Sequence, residues 1–264
     1  MDATPLNALL TLAAGVLTGV LSGVFGIGGA AFSTPVVRVL GVSAEFAVGT
    51  TLPSILPSAV SGTVRYSRES LVWWRVVAWT APAGVAAAVL GSFLSREVPG
   101  EGHLLMIATA ALLGYSSWRM GHSGEASEDD RSVSPRPPRT HPALLLAVGA
   151  AAGLLSGLLG VGGGTVMVPG FSELARIPLK TAIACSLACV GLFAVPATLT
   201  HWYLGDIDWF TACILSLGVV PGARLGAALA IRARARPLRL AVAVFLGLVA
   251  VVYAAGEVMA LLSR

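Results

Sequence analysis

The amino-acid sequence predicts an all-α, polytopic membrane protein made of two inverted-topology repeats, each of about five segments and each including a broken or re-entrant helix. Three observations predict this fold class. Hydrophobic residues make up 56% of the 264-residue chain and charged residues only 11%, whereas about a quarter of the residues in soluble domains are charged. Apolar stretches of about 20 residues, long enough to cross a hydrocarbon layer, recur along the chain. One run of sequence also occurs twice.

The repeated run is GVLSGVFGIGGAAFSTP at residues 19–35 and GLLSGLLGVGGGTVMVP at residues 153–169, displaced by 134 positions without a gap. The similarity continues at a displacement of 135, where AVGTTL at 47–52 matches AIACSL at 182–187. Trp74 and Trp209 match at the same displacement. Because a match of this length is not expected by chance, the chain is a duplication of one unit. The two units are called the first and second copy below.

Each copy divides into five hydrophobic segments, and an odd number of segments inverts the second copy relative to the first. The segments are residues 6–25, 27–40, 46–66, 71–94 and 102–119, then 142–160, 161–174, 180–203, 207–231 and 238–262. Between the copies the sequence is acidic, then rich in proline and arginine, with nothing to bury. We therefore expect a first membrane repeat at 1–120, a cytoplasmic disordered linker at 121–141 and a second membrane repeat at 142–264.

The distribution of lysine and arginine predicts the orientation in the membrane. If the linker is cytoplasmic, 13 of the 17 basic residues lie on or near that side: Arg65, Arg68, Arg75, Arg119, Arg131, Arg136, Arg139, Arg176, Lys180, Arg232, Arg234, Arg236 and Arg239. Arg38, Arg96 and Arg264 fall outside, and Arg224 lies within a segment. Cytoplasmic loops carry the excess of positive charge, so we expect a multi-pass protein of the inner (cell) membrane with both termini outside.

The second segment of each copy is only about 14 residues long and starts at a glycine cluster, GIGG at 26–29 or GVGGG at 160–164. A helix broken there leaves backbone N–H groups unpaired, which lipid tolerates only where they line a cavity. The positive end of a helix dipole favours an anion at such a place. In inverted copies the two breaks would face each other near the midplane. The predicted substrate-binding glycines are Gly26, Gly28, Gly29, Gly160, Gly162, Gly163 and Gly164.

Helix packing is the alternative interpretation of glycine in these segments. It is the interpretation we adopt for the glycines spaced by four before each cluster: Gly15, Gly19, Gly23, Gly149, Gly153 and Gly157. The pattern does not favour a nucleotide-binding loop, because neither glycine run ends in GK[ST] or follows a strand.

Four hydroxyl or thiol side chains and one arginine complete the predicted substrate site. Thr50 and Thr51, with Cys185 and Ser186 at the matching positions, could donate to a bound oxyanion or bond their own helix backbone. Arg224 is the only basic residue well inside a segment, which indicates a function, although its side chain could extend to the cytoplasmic boundary instead.

Acidic residues and histidines are missing from the middle of the segments. His201, Asp206 and Asp208 cluster at one outer boundary, and Glu257 is close to the outer end of the last segment. A cation site, a carboxylate proton relay or a hydrolytic centre would need such groups, so we expect an anion site, no enzyme activity, and neither a metal nor another cofactor. Cys185 and Cys189 share a helix face and either form a functional pair, as in a membrane enzyme, or simply pack.

The charge of +4 and the pI near 9.3 do not predict a nucleic-acid partner, because the basic residues lie in short loops between apolar segments. The expected partners are a small anionic substrate and the lipid bilayer. The sequence leaves a homo-oligomer open.

The duplicated GxxSGxxGxGG run followed by proline, the AVGTTL-like motif and the closing GxxxG at Gly222 and Gly226 resemble the TauE/SafE sulfite exporter family of membrane permeases. The resemblance covers nearly the whole chain. It implies a secondary transporter or facilitator of small sulfur-containing anions such as sulfite, sulfonate or thiosulfate across the cell membrane. The family's threonine–serine pair appears as Thr50-Thr51 and as Cys185-Ser186. A non-transporting membrane scaffold or assembly subunit, with the linker as a docking segment, is the alternative.

Overall fold

The computed structural model describes residues 5–29, 32–33, 37, 44–94, 111, 114–115, 117–118, 120–121, 141–159, 163–205 and 207–262. No strand occurs within these ranges, and the all-α prediction is confirmed there. The helices are α1 (Pro5–Phe25), α2 (Ala44–Ser67), α3 (Trp74–Leu94), α4 (Pro142–Leu159), α5 (Gly164–Pro169), a π-helical turn (Gly170–Leu174), α6 (Leu179–Leu204), α7 (Trp209–Arg232) and α8 (Ala235–Leu262).

Five of these helices are long and apolar enough to cross a membrane. The candidate spans are Asn7–Phe25, Trp74–Gly91, Leu179–Tyr203, Trp209–Arg232 and Ala235–Val252. Leucines on the outer side of α7 are 57–70% exposed, namely Leu217, Leu225 and Leu229. A helix with such a face suits contact with lipid rather than with water.

The long helices end within three residues of the predicted segments. The short segment predicted at 161–174 is α5 followed directly by the π-helical turn. The predicted segments at 27–40 and 102–119, and the predicted linker at 121–141, lie outside the described residues apart from scattered positions.

Helices α1 and α7 cross with their backbones in contact. A Cβ atom added to Gly15 would lie 2.6 Å from the carbonyl oxygen of Leu215, and one added to Gly19 would meet the carbonyl oxygen of Val219. In the opposite direction, Gly222 of α7 lies against the backbone of Val16 of α1 in the same way. Small residues permit this approach, which provides van der Waals contact between helices in a membrane.

Helices α3 and α4 cross in the same way. They are the counterparts of α7 and α1, so α3 now comes from the first copy and α4 from the second. A Cβ atom on Gly149 would meet the carbonyl oxygen of Thr80, and one on Gly153 would meet that of Gly84. Gly149 is the counterpart of Gly15, and Thr80 is the counterpart of Leu215. The packing interpretation of the glycines spaced by four is therefore confirmed for Gly15, Gly19, Gly149 and Gly153.

Helices α2 and α6 are counterparts and pack against each other, with α7 against α2 and α3 against α6. Helix α6 is largely buried and mainly apolar along its middle. Helix α2 instead has two internal prolines, Pro53 and Pro57, and six buried hydroxyl residues: Thr50, Thr51, Ser54, Ser58, Ser61 and Thr63. The two central helices therefore have the same position in their copies but different chemistry.

Candidate functional site

The first glycine break, residues 26–29, follows the last turn of α1. The amide of Gly26 donates to the carbonyl of Ser22 at 2.8 Å, and Gly26, Gly28 and Gly29 then have φ angles of +70°, +81° and +84°. These left-handed conformations are open to glycine and costly for other residues. The helix therefore stops at Phe25 because the glycines let the backbone leave the helical path.

Both central helices contact this break. Gly26 lies against Ile183 of α6, and a Cβ atom on Gly28 would meet Val190 of α6 and approach Ile55 of α2 to 3.3 Å. Ile55 and Val190 occupy matching positions, displaced by 135. Gly28 therefore lies between equivalent points of the two copies.

The second glycine cluster contacts the first glycine break. A Cβ atom on Gly164 would lie 2.5 Å from the carbonyl oxygen of Gly26 and 2.6 Å from Cα of Ile27. Gly163, which precedes α5, packs on the backbone of Ala152 in α4. Gly160 and Gly162 lie outside the described residues. Thus the two glycine clusters meet inside the protein through Gly164.

Thr50 and Cys185 accept hydrogen bonds at helix starts of the opposite copy. The amide of Asp208, the residue before α7, donates to Oγ1 of Thr50 at 3.0 Å. In the equivalent contact, with the roles of the two copies exchanged, the amide of Trp73, the residue before α3, donates to Sγ of Cys185 at 3.3 Å. The first N–H groups of a helix have no partner within it, so each contact satisfies an orphan donor. The departure from threonine at Cys185 keeps this acceptor.

Ser186 and Thr51, the second members of the two pairs, are buried. The hydroxyl of Ser186 donates to the carbonyl oxygen of Gly26 at 2.8 Å and so joins α6 to the first glycine break. The carbonyl of Thr51 accepts a bond from Ser54 at 2.7 Å within α2. The two members of each pair therefore differ in their contacts. The first member, Thr50 or Cys185, bonds the start of a helix, and in the second copy the second member, Ser186, bonds the first glycine break.

Arg224 lies on the exposed side of α7, next to the exposed Leu225. The structure does not bring its side chain together with the buried glycines. Cys185 and Cys189 are buried free cysteines, while Cys213 is exposed.

Three buried hydroxyl residues contact Gly29 and a fourth bonds one of these three, and the sequence alone did not indicate them. We call Thr18, Ser22, Ser33 and Ser58 the hydroxyl cluster. A Cβ atom on Gly29 would lie 2.7 Å from Cγ2 of Thr18 and 3.5 Å from Cβ of Ser22. The hydroxyl of Ser58 donates to that of Ser22 at 2.9 Å, and the amide of Ser33 donates to the carbonyl of Gly29 at 2.9 Å.

The chemistry of the buried interior is that of neutral donors. Within the described ranges, the buried polar side chains are serines and threonines, and the phenol of Tyr66 and the thiols of Cys185 and Cys189 are buried as well. No group of three or more His, Cys, Asp or Glu side chains that could hold a metal ion occurs there. Serine and threonine hydroxyls can donate to an oxyanion without a charge of their own.

Comparison with known proteins identifies the family. The model of the family described as sulfite exporter TauE/SafE matches residues 11–253, which include both glycine clusters and both central helices. The chain belongs to the TauE/SafE sulfite exporter family. No solved structure matches this TauE/SafE protein.

Curated relatives of this TauE/SafE chain are named as transporters. A probable membrane transporter protein of Xylella fastidiosa is 30% identical over 229 residues, covering 86% of each chain. The probable membrane transporter protein YjnA of Bacillus subtilis is 27% identical and covers 85% of this chain and 91% of its own length. A probable membrane transporter protein of Methanocaldococcus jannaschii is 23% identical, covering 90% and 92%. The chain is therefore a multi-pass member of a membrane transporter family.

Proposed function

We propose that this protein is a secondary transporter or facilitator of small sulfur-containing anions, namely sulfite, sulfonate or thiosulfate. The observation that carries the proposal is the contact of Gly164 with Gly26 and Ile27, which joins the glycine clusters of the two copies. Binding at an interface between repeats lets one bound ligand be reached from either side when the repeats move. The sulfite exporter name of the family supports the choice of anion.

An inverted arrangement of the copies is part of the proposal. Thr50 near the start of α2 contacts the start of α7, whereas the start of α3, beyond the far end of α2, contacts Cys185 near the start of α6. The starts of α2 and α6 therefore lie at opposite ends of α2, which supports opposite directions for the two helices. The excess of basic residues on the linker side supports a cytoplasmic linker and external termini.

Transport would follow from movement of one copy against the other about the joined glycine clusters. The glycines allow a ligand to approach the backbone, and buried hydroxyl groups on α1 and α2 supply donors that replace water. The pairs α1–α7 and α3–α4 are held by backbone contact, and each pair takes one helix from each copy. During the movement the two helices of each pair would therefore have to stay in contact or slide along each other.

Flux measurements in reconstituted vesicles test the proposal. Purified protein in vesicles is expected to move sulfite, thiosulfate or methanesulfonate faster than protein-free vesicles, at alkaline pH where sulfite stays ionised. A small cation such as methylammonium serves as the control solute and is expected to move no faster than in protein-free vesicles. If none of the three anions moves while the reconstituted protein retains its helical circular dichroism spectrum, the substrate assignment is wrong.

A further inference from the structure

We infer that the substrate-binding site, called the seat below, is one-sided: it is formed by the hydroxyl cluster of the first copy beside Gly29, and most of the equivalent positions in the second copy carry apolar side chains. The ligand class is a small oxyanion bound by neutral hydroxyl donors. The identity of the anion rests on the proposed function, whereas the location of the seat rests on contacts around Gly29.

Two hydroxyl oxygens of the cluster have no partner. Thr18 is 2% exposed and Ser33 is 1% exposed, and Oγ1 of Thr18 and Oγ of Ser33 are both buried without a hydrogen bond. Both residues contact Gly29, Thr18 through its side chain and Ser33 through its amide. Buried polar atoms in proteins are nearly always paired, so two unpaired hydroxyls at one glycine point to a missing acceptor.

The other two hydroxyls provide a further donor. Ser58 of α2 donates to Ser22 of α1, and both side chains are buried. Ser22 accepts this bond and still has a hydroxyl hydrogen of its own to donate. The cluster can therefore offer three hydroxyl hydrogens, from Thr18, Ser22 and Ser33, to an oxyanion. Gly29 keeps the space beside Thr18 and Ser22 free of a side chain.

The second copy lacks this chemistry. The counterparts of Thr18, Ser33 and Ser58 are the buried apolar residues Ala152, Met167 and Phe193. Only Ser22 has a hydroxyl counterpart, Ser156, in the repeated motif. The ring of Phe193 packs directly on Gly84 of α3, and its side chain is 2% exposed. At three of the four positions where the first copy has hydroxyls, the second copy therefore has buried apolar side chains that cannot donate to an oxyanion.

Substitutions that remove a hydroxyl group with little change in the shape of the side chain test whether the hydroxyl cluster binds the substrate. In the full-length protein, Thr18→Val and Ser58→Ala are each expected to raise the KM for sulfite or thiosulfate flux about tenfold, since each loses one charge-assisted donor or the support of one. The matched controls are Thr80→Val, another buried unpaired threonine, which lies at the α3–α4 crossing, and Ser156→Ala in the second copy. Both controls are expected to keep the wild-type KM.

A binding measurement separates this inference from the proposed function. Sulfite and thiosulfate are each added to detergent-solubilised protein. Each is expected to raise the midpoint of thermal unfolding of the wild type and of Ser156→Ala. The rise is expected to be smaller for Thr18→Val. An unchanged shift in Thr18→Val, Ser58→Ala and their combination overturns the seat even if flux is present. An equal loss in Ser156→Ala overturns its one-sidedness.

The remaining outcomes are decided by conservative variants. Thr18→Ser and Ser58→Thr keep the hydroxyls and are expected to retain binding, so a loss in these variants as well would show a packing role and overturn the seat. If the wild type binds neither anion by thermal shift, the seat as an oxyanion site is wrong. Binding without flux would contradict only the proposed transport.

Discussion

The hydroxyl of Ser186 donates a 2.8 Å hydrogen bond to the carbonyl oxygen of Gly26, a residue 160 positions earlier in the chain. This bond joins the buried helix α6 of the second copy to the first glycine break. A carbonyl that has left its helix needs a donor in a membrane interior, where water does not supply one. The adjacent residue, Cys185, serves a different purpose by accepting the amide of Trp73.

Ser186→Ala is expected to destabilise the protein by about 1–2 kcal/mol, because the Gly26 carbonyl loses its buried donor. Unfolding in detergent followed by circular dichroism measures the change. Ser216→Ala is the matched control, since Ser216 bonds the carbonyl of Ala212 within its own helix at 2.6 Å and the helix keeps its backbone bond there. Equal effects of the two substitutions would contradict a specific role for the Ser186 bond.

Thr50→Val is expected to cost about 1–2 kcal/mol of stability, because the amide of Asp208 loses its acceptor at the start of α7. Thr50→Ser keeps an acceptor oxygen and is expected to stay within about 0.5 kcal/mol of the wild type. In the second copy, Cys185→Ser keeps an acceptor for the amide of Trp73 and is expected to fold as well. Unfolding midpoints of the three variants in the same detergent check these values. If Thr50→Val and Thr50→Ser unfold at the same midpoint, the side-chain acceptor is not what matters.

The sequence predicted the long helices well but not the partners of their polar side chains. Apolar length, with glycine and proline at the limits, identifies a membrane segment within a few residues. The donor to Thr50 lies 158 residues away on a backbone amide, and no local pattern indicates such a partner.

The hydroxyl cluster was missed for a different reason. Serine and threonine in apolar helices often bond their own backbone, so their presence alone does not indicate a site. A signal was available in the comparison of the copies, where TTLPSILPSAVSGT at 50–63 matches CSLACVGLFAVPAT at 185–198. At Ser58 against Phe193, a hydroxyl is exchanged for the bulkiest side chain of either segment.

Gly19→Ala is expected to destabilise the protein by about 1–3 kcal/mol, because the new methyl group would overlap the backbone of Val219 and Ala223 at the α1–α7 crossing. Backbone atoms cannot move aside as a flexible side chain can. Gly114→Ala is the control, since a Cβ atom there meets nothing within 4 Å. Thermal unfolding of both variants gives the comparison. A midpoint for Gly19→Ala at or above that of Gly114→Ala would contradict close backbone packing.

The proposed orientation predicts which helix ends are reached from outside the cell. Tyr203, 93% exposed near the end of α6, is expected outside, whereas the exposed Arg68 after α2 is expected in the cytoplasm. Tyr203→Cys and Arg68→Cys are made in a protein whose three native cysteines are replaced, with Cys185→Ser, Cys189→Ala and Cys213→Ala. A membrane-impermeant maleimide on intact cells is expected to label Tyr203→Cys only, and to label both after the membrane is opened. Labelling of Arg68→Cys alone in intact cells would reverse the orientation. Labelling of both positions in intact cells would contradict their placement on opposite sides and, with it, the inverted arrangement of α2 and α6.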